Sequence, residues 1–420
     1  MKVLKFFIPV LFSSLALSFS PSAYSDEVKV ESPFRVDERL QKNVQFWIKI
    51  YSQYSTYQGV IHDSKYIDHV YEVIDLRSGA KESPKKRRKR FQESKRKWTQ
   101  ILLSVHKKRK TPEKLTEEER RVFEMFANDD EPDKFVKATQ RKRLRMQLGQ
   151  KDRFIEGLKH SGRYLPQMEQ VFKNAGLPVE LTRLPFVESS FNVEARSKVG
   201  ASGIWQFMRS TGRLFLKINN AIDERDDPIR ATEAAARLLK MNYEHLKNWP
   251  LAVTAYNHGL MGMERAVKKV GSEDLEDLVE DYRSRRFGFA STNFFTEFLA
   301  ALEVEKNADR YFGVVERYSP IPSYEVKIPK PLDVRVLVQF LRLDLNALDN
   351  LNPGIKDAVF AGRILLPAGY SLRIPLPAGE TPPATPEGAA RVFLVGYDQI
   401  PDIYKLRGQR LGKYGKPKQK

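Results

Sequence analysis

The sequence predicts a mainly α protein, and three observations carry that prediction. Residues 151–310 place apolar side chains at helical spacing between start and stop signals. Residues 26–150 combine dense basic runs with apolar positions at the same spacing, as in helices with one wet and one buried face. From about residue 320 prolines interrupt the pattern, which marks a separate C-terminal part. At 420 residues the chain has room for two or three domains, and its 41% hydrophobic and 30% charged residues suit a folded protein.

The first element is a leader. Lys2 and Lys5 precede an apolar run from Phe6 to Phe19, then Pro21-Ser-Ala-Tyr-Ser25 and Asp26. That order predicts a secretory signal over residues 1–25, with Ala23 and Ser25 at −3 and −1 of the cut. The alternative, a membrane anchor, would need an apolar run of about 20 residues, longer than this one. No other stretch is long and apolar enough to span. The chain has no cysteine, which excludes disulfides, thiolate metal sites and a lipoprotein anchor. Its net charge of +19 asks for an anionic partner: nucleic acid, an anionic membrane or an acidic polymer. Export makes nucleic acid the wrong choice.

Within 26–150, Val44 to Tyr51 is apolar enough for a buried helix face, and His69 to Leu76 reads as a short strand. Basic runs follow at Lys85–Arg90, Lys95–Lys97 and Lys107–Lys110. They read either as solvated helix faces or as a patch for anionic wall polymer or membrane. Trp98, Ile101, Leu102 and Val105 supply the buried side of that helix. Further on, Phe154 to Ala175 predicts a helix stopped by Gly176-Leu-Pro178. Asp227-Pro228 is a cap followed by proline at the first helical position, opening a helix through Ala231, Ala235, Leu238 and Leu239. Trp249-Pro250 begins a helix that ends near Gly259, and Phe294 to Glu305 predicts another. From residue 379 a Pro/Gly/Thr-rich linker leads into a basic tail, the two together spanning 379–420.

The six histidines, at 62, 69, 106, 160, 245 and 258, show no metal-site spacing, and no phosphate loop or Ser/His/Asp set is present. No metal or other cofactor is expected. The remaining chemistry lies between Pro185 and Gly259, in three short pieces. They are Val187-Glu-Ser-Ser-Phe-Asn192, Ser197-Lys-Val-Gly200-Ala-Ser-Gly203-Ile-Trp-Gln206-Phe-Met208, and Ala255-Tyr-Asn-His-Gly259. Glu188 sits among Phe186, Val187 and Phe191. Apolar neighbours desolvate a carboxylate and raise its pKa, which is what an acid must have to protonate a poor leaving group near neutrality.

These three pieces, in this order, resemble the Glu-Ser, Gly-x-x-Gly-x-x-Gln and Ala-Tyr-Asn-x-Gly motifs of the soluble lytic transglycosylase (SLT) family of the lysozyme superfamily, closest to its membrane-bound D type. Asp223-Glu-Arg-Asp-Asp-Pro228 is similar as well. The resemblance covers about 155–305. It implies a lysozyme-like helical catalytic domain over 151–310, preceded by a basic helical N-terminal region over 26–150. It implies cleavage of peptidoglycan glycan strands in the periplasm of a Gram-negative bacterium, peripheral to or free of the membrane. Glu188 is then the single catalytic residue, first acid and then base. Ser197, Gln206, Met208, Tyr256 and Asn257 contact substrate, and Ser189, Gly200 and Gly203 support the loop. Glu194 is a second carboxylate without an implied role. Where the family often carries tyrosine in its last motif, this chain has Phe294 and Phe295. Leu351-Asn-Pro-Gly354 and Gly362-Arg-Ile-Leu-Leu-Pro367 resemble a degenerate LysM module, a small α+β glycan-binding unit, placed at 320–378. Val392 to Asp398 faintly resembles the opening of another. Two other outcomes stay open: hydrolysis on the same fold, or wall binding without turnover.

Overall fold

Two hydrophobic cores meet at one short strand. The computed structural model describes residues 33–35, 37–77 and 84–376. The expected leader, the tail and the Val392–Asp398 segment lie outside the described residues. Strand β1 (Gln58–Asp63) lies between β2 (Val70–Asp75) and β3 (Leu144–Leu148) in an antiparallel sheet. Successive strand residues point to opposite faces. Val60 therefore enters one core and Ile61 the other.

The second of these cores belongs to the basic helix Pro84–Lys108. Trp98, Leu102 and Val105 are buried on its inner side, and Ile101 packs beside them. Trp98 stacks on Tyr71 and donates its indole N–H to Glu72 at 2.8 Å. The basic residues lie mostly on the outer side. The N-terminal region is thus α+β rather than purely helical. Of the three strands only β2 was expected. β1 is buried on both faces and shows no alternation to read. β3 does alternate, as Leu144, Met146 and Leu148, but it is five residues long and set among basic neighbours.

The larger core is helical, in agreement with the mainly α expectation. It is built from Lys151–Asn174, Pro228–Leu246, Trp249–His258, Leu260–Val270 and Phe289–Lys306. The helix Gln41–Ser52 joins them, because Val44, Phe46, Trp47 and Ile50 turn inward. Trp47 Nε1 donates to Asn293 Oδ1 at 3.1 Å and ties that helix to Phe289–Lys306. Helix boundaries follow local chemistry. The Asp227 carboxylate accepts from the N–H groups of Ile229 and Arg230, both at 3.0 Å, with Pro228 at the first helical position. Asn248 caps Trp249–His258 in the same way.

From Ser323 the chain forms a third, smaller core. β4 (Ser323–Lys327) pairs antiparallel with β5 (Ser371–Pro375), and the helices Val334–Phe340, Leu345–Leu351 and Asp357–Phe360 lie between them in sequence. Ala221 and Ile222, from the loop before Asp227, belong to this core too. Asp223 N–H donates to Gly354 O at 2.8 Å, and Lys356 N–H to Ala221 O at 3.0 Å. Among the described residues no helix is long and apolar enough to cross a membrane.

Candidate active site

Glu188 is the last residue of a five-residue helix, Leu184–Glu188. The chain leaves it by a sharp turn in which Ser190 (φ 52°) and Phe191 (φ 55°) are left-handed. That conformation costs about 1–3 kcal/mol per non-glycine residue. The offset is aromatic. Phe191 meets Phe186 edge-on at 4.7 Å, and Phe186 stacks on Phe154 at 4.7 Å. All three rings are fully buried, each worth about 1.5–3 kcal/mol. Gly157, on the helix behind, lets the turn approach: a Cβ there would sit 3.0 Å from Ser190 O. The sequence neighbours that suggest a desolvated acid are therefore also the anchors that end its helix.

The half-buried Glu188 carboxyl opens into a cavity of about 990 Å³. Ser189, Asn192, Glu194, Arg196 and Gln206 also line it, with Asp152, Glu156 and His160 from the helix behind. Burial pushes Glu188 up to about 8. At pH 7 it is then mostly protonated. Glu297, on Phe289–Lys306, is pushed up to about 8 as well, by burial first and then by repulsion from Glu188. Tyr51 and Tyr256 are pushed upward by burial and by the nearby carboxyls. Tyr51 Oη is buried and makes no hydrogen bond among the described residues. Glu188, Glu297, Tyr51 and Tyr256 are thus near enough for the carboxyls to act on the titration of their neighbours.

Glu297 and Tyr51 were missed at the sequence level. A signal for Glu297 existed: it is a lone acid among Phe294, Phe295, Phe298 and Leu299. Tyr51 carries no comparable signal, because its helix comes from a distant part of the chain.

The loop 192–207 forms the near wall. Gln206 is left-handed (φ 48°), and its side-chain amide donates to Gly203 O at 2.8 Å and Ala195 O at 3.2 Å. Gln206 therefore lines the cavity and staples its wall. Gly203 (φ 75°) has no room for a side chain, since a Cβ would lie 1.9 Å from Arg225 O. Gly200 (φ 93°) shapes an exposed turn in which Ser197 Oγ accepts from Ala201 N–H at 2.8 Å. Ser189 Oγ donates to Ile204 O at 2.9 Å. Tyr256 lies behind the wall, its hydroxyl donating to Trp205 O at 2.8 Å and its ring parallel to Phe294.

The structure brings Glu188, Ser189 and Gln206 together around one cavity, with Tyr256 held behind. Ser197, Gly200, Gly203, Met208 and Asn257 do not line that cavity. Met208 is exposed beyond the loop. Asn257 is exposed and accepts from Ser291 Oγ at 3.1 Å. Glu194 is exposed on the rim, its N–H held by Asn192 Oδ1 at 3.0 Å.

Known proteins resemble parts of the chain. The membrane-bound lytic murein transglycosylase D of Escherichia coli K12 is 28% identical over 223 residues, covering 50% of this chain and 47% of its own. A tributyltin chloride resistance protein of Alteromonas sp. strain M-1 is 33% identical over 111 residues, 26% of this chain and 53% of its own. The chain spans about half the length of the curated relatives it matches. A solved structure of an inactive mutant of the lytic transglycosylase Slt from Pseudomonas aeruginosa aligns over 37% of this chain and 26% of its own, at 21% identity and a TM-score of 0.30. Residues 168–279 match the model of the transglycosylase SLT domain, so the segment that holds Glu188, Gln206 and Tyr256 is a domain of that family.

Proposed function

We propose that the protein is a peptidoglycan lytic transglycosylase that cuts the MurNAc-β-1,4-GlcNAc bond and leaves 1,6-anhydro-MurNAc ends. One observation carries the reading: Glu188 stands on a polar cleft with its carboxyl held protonated by burial. Such an acid can give its proton to the glycosidic oxygen as the C1–O bond breaks. Its carboxylate then takes the proton of the same sugar's 6-hydroxyl while that oxygen closes on C1. The proton returns to Glu188 and no water is consumed.

Gln206 fixes the cleft wall, and Tyr256 fixes the backbone behind it. Ser197 and Met208 meet substrate at the outer edge, and Asn257 supports the helix end. Ser189, Gly200 and Gly203 set the loop. The leader pattern supports export to the periplasm, and the basic face of Pro84–Lys108 suits an anionic wall or membrane surface rather than nucleic acid. The order after residue 320, strand–helix–helix–helix–strand with the two strands paired, supports the LysM reading of that module with one extra short helix.

Hydrolysis with a second carboxylate as base needs that carboxylate ionised to activate water. Glu297 shares the site but is held neutral, which makes it a poor base at pH 7. Mass spectrometry of muropeptides after digestion separates the two reactions. Anhydro products are expected, and products one water heavier would sink the lyase reading.

A further inference from the structure

One side chain, Arg196, lines two cavities. The first is the Glu188 cleft. The second, of about 450 Å³, lies where the C-terminal module meets the Asp223–Asp227 loop. On the module side its lining is Pro353, Ile355, Lys356, Asp357 and Ala358. The two cavities are therefore neighbours across a single guanidinium.

The second cavity has a fixed frame. Arg196 pairs with Asp226 through both terminal nitrogens, and Ser202 Oγ donates to the same carboxylate. Arg225 is committed to Asp223 and to the carbonyls of Gly200 and Phe207. The module is locked in place by the buried Arg373–Asp227 pair. An arginine has five N–H donors in a planar fork. Asp226 occupies one edge of Arg196, whose side chain is 58% exposed. The other edge can receive a carboxylate. Asp357 stands exposed on the module rim, with the Lys356 ammonium one residue away and held on Asn219 O at 2.5 Å. Pro353 and Ile355 add an apolar wall.

Charges of both signs beside an apolar wall suit a ligand that carries both signs itself. A neutral sugar offers only hydroxyls, which gain less from charged partners than a carboxylate or an amine does. We propose that this second cavity is a subsite for the peptide stem of the wall polymer, with a carboxylate on Arg196 and an amine toward Asp357, while the attached glycan lies along the Glu188 cleft. The proposal rests on the reading of the chain as a peptidoglycan-cleaving enzyme. On it, the C-terminal module is part of the substrate site rather than a tethered binding unit.

The test uses the full chain carrying Glu188→Gln and an isolated tetrapeptide stem containing a diamino acid. Calorimetry should show binding that Asp357→Arg and Ala358→Trp each weaken about tenfold, roughly 1.4 kcal/mol. Unchanged binding in both variants, or none in the parent, would overturn the subsite. In the Glu188 enzyme the same two changes should raise KM on peptide-bearing glycan strands about tenfold. They should leave turnover of strands stripped by an amidase unaltered. Equal loss on both strand types would count against the proposal. Stem binding without any cleavage by the Glu188 enzyme would reject the lyase reading while leaving the subsite standing.

Discussion

Arg373 and Asp227 join two parts of the chain that lie 146 residues apart. Both terminal nitrogens of the Arg373 guanidinium reach the Asp227 carboxylate at 2.9 Å, and the same carboxylate caps the helix Pro228–Leu246. Asp227 is 2% exposed and Arg373 8%. A buried pair of this kind is costly to break from one side, because the remaining charge keeps its desolvation penalty without its partner. Arg373→Ala should therefore cost about 3–5 kcal/mol. Chemical denaturation is the measurement. A loss below about 1 kcal/mol would mean that the module does not brace the catalytic core through this contact.

Gly203 gives a second expectation. Its φ of 75° and the Arg225 carbonyl 1.9 Å from a would-be Cβ leave no room for alanine. Gly203→Ala must move either the loop that carries Gln206 or the Asp223–Asp227 segment. A loss of at least about 2 kcal/mol is expected, together with weakened turnover. Wild-type melting and activity in this variant would contradict the geometry.

Glu188→Gln should abolish cleavage and still stabilise the fold at neutral pH. The unfolded carboxyl titrates near its ordinary 4.5, whereas burial holds the folded one at about 8. Between those values the unfolded chain releases a proton that the folded chain retains. Folding stability therefore falls as pH rises through that window. Glutamine does not titrate, so the variant escapes this loss. Its melting temperature should match wild type near pH 4 and exceed it increasingly up to pH 8, by about 2–4 °C per kcal/mol relieved. A constant difference across the series would show that the carboxyl is not desolvated.

The sequence makes some of this legible and hides the rest for physical reasons. Helix starts at Asp227 and Asn248 are readable because a cap is a local event, one side chain answering its own next N–H groups. The surroundings of Glu188 are readable for a similar reason: Phe186 and Phe191 are sequence neighbours before they are packing partners. Glu297 and Tyr51 reach the same region from helices more than 100 residues away on either side. Their roles depend on tertiary packing, which periodicity does not record. Strand β1 hides because burial on both faces erases the alternation that reveals a strand. The docking of the module on Ala221 and Ile222 is likewise invisible, since two apolar loop residues carry no mark of their partner.

Glu297→Gln separates a neutral neighbour from a working base. Repulsion between two carboxyls is mutual, so the pair in this site gives up its protons in two coupled steps. An acid catalyst must stay protonated, and its alkaline limb reports the loss of that proton. In the wild-type protein burial holds both carboxyls at about 8, and repulsion from Glu188 adds to the rise at Glu297. Glutamine at 297 removes the repulsion and preserves the shape, so Glu188 should titrate lower. The alkaline limb of kcat/KM should move toward acid by roughly half to one pH unit. Near pH 6 the rate should change less than about threefold, because Glu297 is already uncharged there. If Glu297 instead served as an ionised base for water, the variant would lose about 10²–10⁴-fold at every pH. A pH–rate series on both proteins decides between these, since a shifted limb and a uniform collapse cannot be mistaken for one another.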